Sequence, residues 1–319
     1  MIPLPSHLDA HTPVHGAAII LGDVRSVVRD LPGASIDCVV TSPPYWGLRD
    51  YGVDDQIGLE QSPDAYVQEL VEVFREIRRA LKDDGTIWVN LGDSYAGGGC
   101  GSQGTSGERA KRRQAVVTLP NKRLSEGLKQ KDLVGIPWLV AFALRADGWY
   151  LRQDIIWHKP NPMPESVRDR CTKGHEYVFL LSKSPRYYFD ADAIKEPVAS
   201  PSTVKSTKRA NEAGPAYFGH APTNLGRCGS NGETRNKRSV WTATPKPFKG
   251  AHFATMPPGL VEPCVLAGCR PGGVVLDPFN GSGTTGVVAL QHGRQYVGIE
   301  LNPAYVEIAC DRIADEVQP

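Results

Sequence analysis

Short apolar runs alternate along the chain with longer stretches in which apolar residues recur every three or four positions. The periodicity of a helix is clearest from Asp64 to about Leu81, and it is found again at 133–146 and from Asn302 onward. Strands that alternate with helices predict a mostly parallel α/β sheet. The apolar runs predict its buried strands at residues 17–21, 36–41, 86–90, 153–157, 177–181, 274–277 and 295–300.

Two segments lack this alternation. Residues 97–107 are rich in Gly and Ser, and residues 199–250 hold many Gly, Pro, Ser, Asn and basic residues without periodicity. The whole chain has a net charge of +1, but eight Lys and Arg accompany two Glu between 101 and 131, and nine accompany two Glu between 201 and 250. Basic loops on an acidic body are typical of a polyanion-binding protein, although two solvated flexible insertions explain the charges equally well.

Composition narrows the class of protein further. The 319 residues are 40% hydrophobic and 22% charged, which is typical of a globular chain. No apolar run approaches the roughly 20 residues of a membrane-spanning helix, and the first residues lack the pattern of a signal peptide. The seven cysteines form no C-x-x-C pair and the histidines are scattered. We therefore predict neither membrane insertion nor export, and neither a disulfide framework nor a metal site.

A glycine-rich turn follows the apolar strand at 274–277. The segment reads VVLDPFNGSGTTG, and Gly281, Gly283 and Gly286 form the pattern G-x-G-x-x-G. Glu300 ends the next strand 19 positions after the first glycine, which is also the spacing of a dinucleotide-binding fingerprint. A nicotinamide-dependent oxidoreductase is therefore one interpretation. A nucleotide triphosphatase is poorly supported, because the turn lacks the Lys-Ser/Thr pair of a P-loop.

Two carboxylates favour a different cofactor, S-adenosylmethionine. Asp277 stands at the mouth of the turn, where it would repel a pyrophosphate and attract the cationic amino group of this sulfonium compound. Glu300, at the carboxyl end of a strand, can accept hydrogen bonds from both ribose hydroxyls of any adenosine cofactor. The structural alternative is a glycine turn that only packs a helix onto a strand.

A second candidate site follows the strand at 36–41, where the sequence reads Ser42-Pro43-Pro44-Tyr45. Proline has no N–H and a fixed φ, so this is a stiff turn at a strand end, where α/β proteins place their chemistry. The carbonyl of Ser42 or Pro43 can accept a hydrogen bond from a ligand amino group, and the Ser42 hydroxyl can accept another. The Tyr45 ring offers a face on which a base can stack. An isolated Pro-Pro-Tyr is equally consistent with a simple turn or a peptide-docking motif.

With both motifs in one chain, the sequence resembles the DNA N4-cytosine/N6-adenine amino-methyltransferases, in the circularly permuted order that places the catalytic motif before the cofactor motif. The resemblance covers most of the chain and implies an α/β fold with the Rossmann-like sheet of S-adenosylmethionine-dependent methyltransferases, mostly parallel with one antiparallel strand. It also implies S-adenosylmethionine as the cofactor. It rests on the segments TSPPYWGLRDYG, GTIWVNLGDSY, RQDIIWHKPNPMPES, LDPFNGSGTTG and YVGIELNPAYVEIA.

The resemblance assigns catalysis to Ser42, Pro43, Pro44 and Tyr45. It implies that the Ser42 side chain and the Pro43 carbonyl accept hydrogen bonds from the amino group of the target base, and that this base is flipped out of the duplex and stacked on Tyr45. Serine at the first position favours cytosine N4 as the target. Aspartate is more typical of adenine-N6 enzymes, so adenine N6 is the alternative. An inactive DNA-binding relative and an RNA substrate also stay open.

The residues that the resemblance assigns to the cofactor come from three segments. LGDVRSVVRDLP supplies a carboxylate for the adenine, HFATMPPGLVEPCV supplies contacts to the methionine portion, and the glycine turn with the next strand supplies the others. No metal is expected. The set is Asp23, Phe253, Thr255, Asp277, Phe279, Gly281, Gly283, Thr284 and Glu300.

These assignments divide the chain into three parts. Residues 14–198 form the catalytic part of the methyltransferase domain, with a flexible loop at about 97–131. Residues 199–250 form a target-recognition insertion, and residues 251–319 form the cofactor-binding part. The expected partner is double-stranded DNA, with a cognate restriction endonuclease as a candidate second partner and no membrane. We expect the enzyme in the cytoplasm of a bacterium or of a phage-infected cell.

Overall fold

The computed structural model describes residues 2–48, 52–53, 55–97, 127–198, 234–245 and 256–317. The strands in these residues are β1 (Asp9–His11), β2 (Ala17–Leu21), β3 (Ile36–Thr41), β4 (Leu81–Leu91), β5 (Tyr150–His158), β6 (His175–Ser182), β7 (Glu196–Pro197), β8 (Thr234–Arg235), β9 (Val240–Thr242), β10 (Val274–Asp277) and β11 (Gln295–Glu300). The helices are α1 (Val24–Asp30), α2 (Pro63–Ala80), α3 (Ile136–Ala146), α4 (Pro258–Gly268), α5 (Thr284–Gln291) and α6 (Pro303–Glu316).

Nine of the described strands form one sheet in the order β1-β2-β11-β10-β3-β4-β6-β5-β9, and β7 pairs with β8 apart from it. The strands from β2 through β4 are parallel, and β6 runs antiparallel to both β4 and β5. The prediction of a mostly parallel sheet with one antiparallel strand is confirmed for the seven central strands. The edge strands were not predicted: β1 is antiparallel to β2, and β9 is parallel to β5.

Helices cover both faces of the sheet. The cluster of buried side chains on one face draws on α1, α2 and α3, and the cluster on the other face draws on α4, α5 and α6. Every residue of β3 and β10 is buried, which explains why these strands are nearly continuous apolar runs in the sequence. The loops after β2, β3, β10 and β11 all leave the same edge of the sheet, where open α/β folds bind their ligands.

Local signals set the ends of the predicted helices. The Ser62 hydroxyl accepts a hydrogen bond from the Ala65 N–H at 3.2 Å and caps α2. Asn302 caps α6 in the same way, with Pro303 in the first turn. Two helices, α1 and α4, were not predicted from the sequence. With seven residues, α1 is too short to show periodicity, and α4 buries most of its side chains and so has no polar face.

Most of the two segments predicted to be irregular lies outside the described residues. The described part of the second segment, residues 234–245, forms β8 and β9. Trp241 of β9 is buried, with its ring centroid 6.1 Å from that of Trp88. No strand was predicted within 199–250, but Val240–Thr242 forms one that pairs with β5, because a three-residue strand has no readable periodicity. Among the described helices, none has the length and apolarity needed to cross a membrane.

The packing of α4 on the sheet generates a stability prediction. A Cβ at Gly268 would lie 2.5 Å from Trp88 Nε1 and 2.8 Å from both Cys38 Sγ and Thr86 Oγ1. We expect Gly268→Ala to lower the free energy of unfolding by about 1–3 kcal/mol, the usual cost of overpacking a core, in urea denaturation. Gly259→Ala in the same helix is the matched control, because its Cβ would meet no heavy atom within 4 Å. Equal stability of the two variants would contradict this packing.

Candidate active site

The loops at the carboxyl ends of β2, β3, β10 and β11 surround one cavity of about 770 Å³. Both predicted motifs line this cavity, so the structure brings them together although they lie at opposite ends of the sequence. Gly283 is the N-cap residue of α5, and Phe253 and Thr255 lie outside the described residues. The predicted residues that line the cavity are Asp23, Ser42, Pro43, Pro44, Tyr45, Asp277, Phe279, Gly281, Thr284 and Glu300.

Asp277 connects the two motifs. Its carboxylate accepts hydrogen bonds from the Thr41 hydroxyl at 2.6 Å, the Thr285 hydroxyl at 2.8 Å and the Phe279 N–H at 3.1 Å. Thr41 is the last residue of β3 and immediately precedes Ser42. Burial raises the pKa of Asp277 above its ordinary 3.8 to about 6, although these three donors oppose the shift. A carboxylate has about four lone-pair sites, so one of them is left for a ligand.

Glu300 holds the glycine turn in a similar way. One carboxylate oxygen accepts the Gly281 N–H at 2.7 Å, and the other accepts the Asn302 N–H at 2.9 Å. Burial raises the pKa of Glu300 above its ordinary 4.5 to about 7, against the lowering effect of these donors. Gly281 has a φ of +53° and Gly283 a φ of +75°, which only glycine adopts without strain. Each Glu300 oxygen therefore keeps a lone pair for a ligand in the cavity.

Asp23 lines the cavity at the end of β2 and caps α1. Its carboxylate accepts the Arg25 N–H at 2.8 Å, and the Arg25 guanidinium binds both carboxylate oxygens. Burial alone would raise the pKa of Asp23, but the hydrogen bonds and positive charge of Arg25 outweigh it and lower the pKa. Asp23 is therefore charged near neutral pH and is held in one orientation beside the cavity.

The Ser-Pro-Pro-Tyr turn is anchored and presents two oxygen acceptors. The Pro44 carbonyl accepts a hydrogen bond from the Tyr66 hydroxyl at 2.9 Å, which fixes the turn to α2. Within the described part of the chain, the Pro43 carbonyl accepts no hydrogen bond, and the Ser42 hydroxyl makes one long contact of 3.4 Å with the Tyr45 hydroxyl. Both oxygens can therefore accept hydrogen bonds from an amino group in the cavity.

Contacts on two sides position the Tyr45 ring. A Cβ at Gly92 would lie 2.5 Å from Tyr45 Cε2, so only glycine leaves room for the ring there. The Tyr45 hydroxyl donates to Glu176 at 2.7 Å and accepts from the Asn90 side-chain amide. Burial and the neighbouring charge of Glu176 raise the pKa of Tyr45 well above its ordinary value. The ring is thus neutral and fixed beside Ser42.

Three further residues line the same cavity and were not among the predicted site residues: Asn90, Lys159 and Glu176. Lys159 forms an ion pair with Glu176, and its ammonium lies 4.2 Å from the centroid of the Trp157 ring. Asn90 and Lys159 fall within segments that carried the family resemblance, but no role was assigned to them. Glu176 belongs to β6, and the antiparallel direction of that strand brings its first residues to the edge where the parallel strands end. Among the described residues, no group of three or more His, Cys, Asp or Glu could hold a metal.

Comparison with known proteins agrees with this geometry. A family described as DNA methylase, of the N6/N4 type, matches residues 36–311. The chain is 50% identical over 303 residues to the Type II methyltransferase M.Cfr9I of Citrobacter freundii. The matched residues cover 95% of this chain and 89% of that relative. It is 50% identical over 295 residues to M.SmaI of Serratia marcescens, with 92% and 90% covered.

Two solved structures resemble the fold over almost the whole chain. One is a DNA modification methylase of Thermus thermophilus, described as putative and complexed with S-adenosyl-L-methionine, with a TM-score of 0.59, 25% identity and 95% of each chain covered. The other is the cytosine-N4-specific PvuII DNA methyltransferase, with a TM-score of 0.61, 18% identity, and 95% and 92% of the two chains covered. At that identity the second likeness supports the fold alone.

A glycine turn and an acidic strand end beside a second, donor-free turn define a methyltransferase cavity that uses S-adenosylmethionine. The chain belongs to the N6/N4 DNA methylase family and is a Type II DNA methyltransferase. The resemblance, the fold class and the cofactor inferred from the sequence are thereby confirmed. Family membership excludes the nicotinamide-dependent interpretation of the glycine turn.

Asp277 and Glu300 make the stability of the cofactor-free protein depend on pH. Both carboxyl groups bind a proton more tightly in the folded chain than in the unfolded chain. Their contribution to stability is therefore full below about pH 4 and is lost as the pH rises through about 6 for Asp277 and about 7 for Glu300. In urea denaturation without cofactor, we expect the free energy of unfolding to fall as the pH rises across this range.

A neutral variant isolates the contribution of Glu300. Glu300→Gln removes one of the two titrating groups, so the fall in stability above about pH 6 should become shallower. Glu307→Gln, at an exposed position of α6, is the matched control and should keep the native pH dependence. An equally steep fall in Glu300→Gln and in the native protein would contradict the assignment.

Proposed function

We propose that this enzyme transfers a methyl group to the exocyclic N4 amine of a cytosine that is flipped out of double-stranded DNA at a specific site. The observation that carries the proposal is the single cavity in which the Ser42 hydroxyl and the Pro43 carbonyl lie beside the glycine turn. Serine at the first position of the catalytic turn favours cytosine. Adenine N6 is the alternative target, and it changes only the identity of the base in the steps below.

The described residues fit S-adenosylmethionine on the glycine-turn side of the cavity. The remaining lone pair of Asp277 suits its amino group, and the free lone pairs of Glu300 suit two ribose hydroxyls. Asp23 is assigned to the adenine of the cofactor. The cavity volume of about 770 Å³ lies within the roughly 300–1,000 Å³ that is typical of ligand pockets. When bound, the cofactor supplies an electrophilic methyl group on a cationic sulfur. The other assigned contacts are Phe253, Thr255, Phe279, Gly281, Gly283 and Thr284.

The catalytic turn activates the amine by accepting hydrogen bonds from its N–H groups. An exocyclic amine is a poor nucleophile, because its lone pair is delocalised into the ring. Hydrogen bonds to the Ser42 and Pro43 oxygens favour a tetrahedral nitrogen whose lone pair is localised. The Thr41 to Asp277 hydrogen bond fixes these acceptors relative to the glycine turn. The two acceptors would therefore hold the nitrogen in one position beside the cofactor side of the cavity, which lowers the entropy cost of reaction.

Tyr45 provides the surface on which the flipped base stacks. Extrusion of a base costs a few kcal/mol of stacking and pairing. Because the Tyr45 ring is already fixed in place, this side chain needs no further ordering when the base enters the cavity. The basic segments at 101–131 and 201–250 are assigned to the DNA phosphates, which makes binding salt dependent. These segments lie mostly outside the described residues, and the target-recognition role of 199–250 is a prediction.

Double-stranded DNA is the partner that this mechanism requires. The Type II relatives from bacteria support a cognate restriction endonuclease directed at the same site, and a bacterial cytoplasm as the place of action. Methylation of that site on the host DNA would protect it from the endonuclease.

The product identifies the target base. Plasmid DNA is incubated with the enzyme and S-adenosylmethionine, hydrolysed to nucleosides and examined by mass spectrometry, and a second sample is sequenced to locate the modification. We expect N4-methylcytosine within one short sequence. Detection of N6-methyladenine instead would identify adenine N6 as the target. The absence of any methylated nucleoside would favour an inactive DNA-binding protein.

Removal of the Ser42 hydroxyl tests the mechanism. We expect Ser42→Ala to lower kcat by about 100-fold or more, as the loss of one preorganised hydrogen-bonding group does elsewhere, while the cofactor Kd measured by calorimetry stays unchanged. Ser35→Ala is the control, because Ser35 lies at the opposite end of β3 and its hydroxyl bonds the Pro32 carbonyl at 2.7 Å. A native turnover rate in Ser42→Ala would remove Ser42 from the mechanism.

A further inference from the structure

An apolar side chain is exposed at the cavity and has no role in the steps above. Met163 is 87% exposed, the highest value among the large exposed hydrophobic residues in the described part of the chain. It lines the same cavity as Tyr45 and Lys159. A single exposed apolar residue is normal on a protein surface. The position of Met163 at the entrance to the base pocket and the rigidity of its support distinguish it from such a residue.

The segment that carries Met163 is held in place from several directions. It connects β5 to β6, and the Lys159 N–H donates to the Gly174 carbonyl at 2.8 Å, which closes the base of the loop. The Glu165 carboxylate binds the Arg170 guanidinium at 2.5 Å and the Lys173 N–H at 3.3 Å. Prolines on both sides of Met163 fix the local φ angles.

The same loop carries positive charge. Between residues 159 and 174 three Lys and Arg other than Lys159 accompany two acidic residues. Arg168 is exposed, and the Arg170 guanidinium lies 3.9 Å from the centroid of the Tyr95 ring. A basic loop beside a base pocket suits a DNA backbone, because phosphates pair with exposed Lys and Arg. An apolar tip on a basic loop therefore suits the stacked bases of a bound duplex.

We propose that Met163 inserts into the base stack of the DNA and occupies the space that the target base leaves when it enters the cavity. The proposal rests on the proposed function, which requires that base to leave the duplex. A flipped base leaves its two neighbours without a stacking partner. Apolar side chains, methionine included, serve as wedges between base steps, and the unbranched thioether adapts to an irregular gap.

The proposal predicts a defect that depends on the pairing of the target base. Met163→Ala and the native enzyme are compared on two duplexes that carry the site found by sequencing, one fully paired and one with an abasic residue opposite the target base. The abasic residue removes the pairing that the wedge helps to break. We expect kcat/KM of Met163→Ala to fall roughly 10- to 100-fold on the paired duplex, equivalent to about 1.4–2.8 kcal/mol. On the abasic duplex it should stay near the native value.

Three controls separate the wedge from other roles of Met163. Cofactor affinity should be native in Met163→Ala. Met163→Leu should keep most of the activity, because leucine keeps the apolar bulk. Leu139→Ala is the matched surface control, because it removes an exposed apolar side chain of α3 that does not line the cavity. An equal loss on both duplexes would assign Met163 to contact with the base inside the pocket and overturn the wedge. The absence of any loss would also overturn it. A native enzyme that methylates neither duplex would instead overturn the proposed function itself.

Discussion

The buried hydrogen bond between the Thr41 hydroxyl and the Asp277 carboxylate is the constraint on which the active site depends. It joins the last residue of β3 to the last residue of β10, so the two turns that follow are fixed relative to one another. A second threonine, Thr285 at the start of α5, holds the other carboxylate oxygen. With both oxygens held, Asp277 cannot rotate, and the lone pair left for a ligand has one direction. A carboxylate that appears in the sequence only as a ligand for the cofactor also builds the site that receives it.

Glu300 has the same double role on the neighbouring strand. Its two oxygens accept the N–H groups of Gly281 and Asn302, so it shapes the glycine turn and the start of α6 before any cofactor is present. The cost is a buried negative charge, visible in the raised pKa of both carboxyl groups. A bound cationic sulfonium compound compensates for part of that cost. The cavity thus gains electrostatic preference for a positively charged ligand from groups that are needed for its own shape.

The sequence predicts the centre of this fold well and its edges poorly, for a physical reason. The central strands β2, β3, β10 and β11 begin and end at the predicted residues, because strands buried on both faces are continuous apolar runs. The edge strands β1 and β9 have three residues each, too few for any period to show. The predicted site residues are likewise those in turns of unusual composition. Asn90, Lys159 and Glu176 escaped because ordinary strand residues become part of a site only through the pairing of β6 with β4 and β5.

The strand order also constrains how the chain can fold as it is made. β10 and β11 lie between β2 and β3, although both are encoded more than two hundred residues after them. Until these two late strands are in place, β2 and β3 each leave an edge uncovered, because β2 pairs there with β11 and β3 with β10. Contacts so distant in sequence form slowly, because a long loop must first be closed. A ribosome-bound chain therefore cannot complete the sheet until residues 274–300 have been synthesised, and β2 and β3 keep these open edges until then.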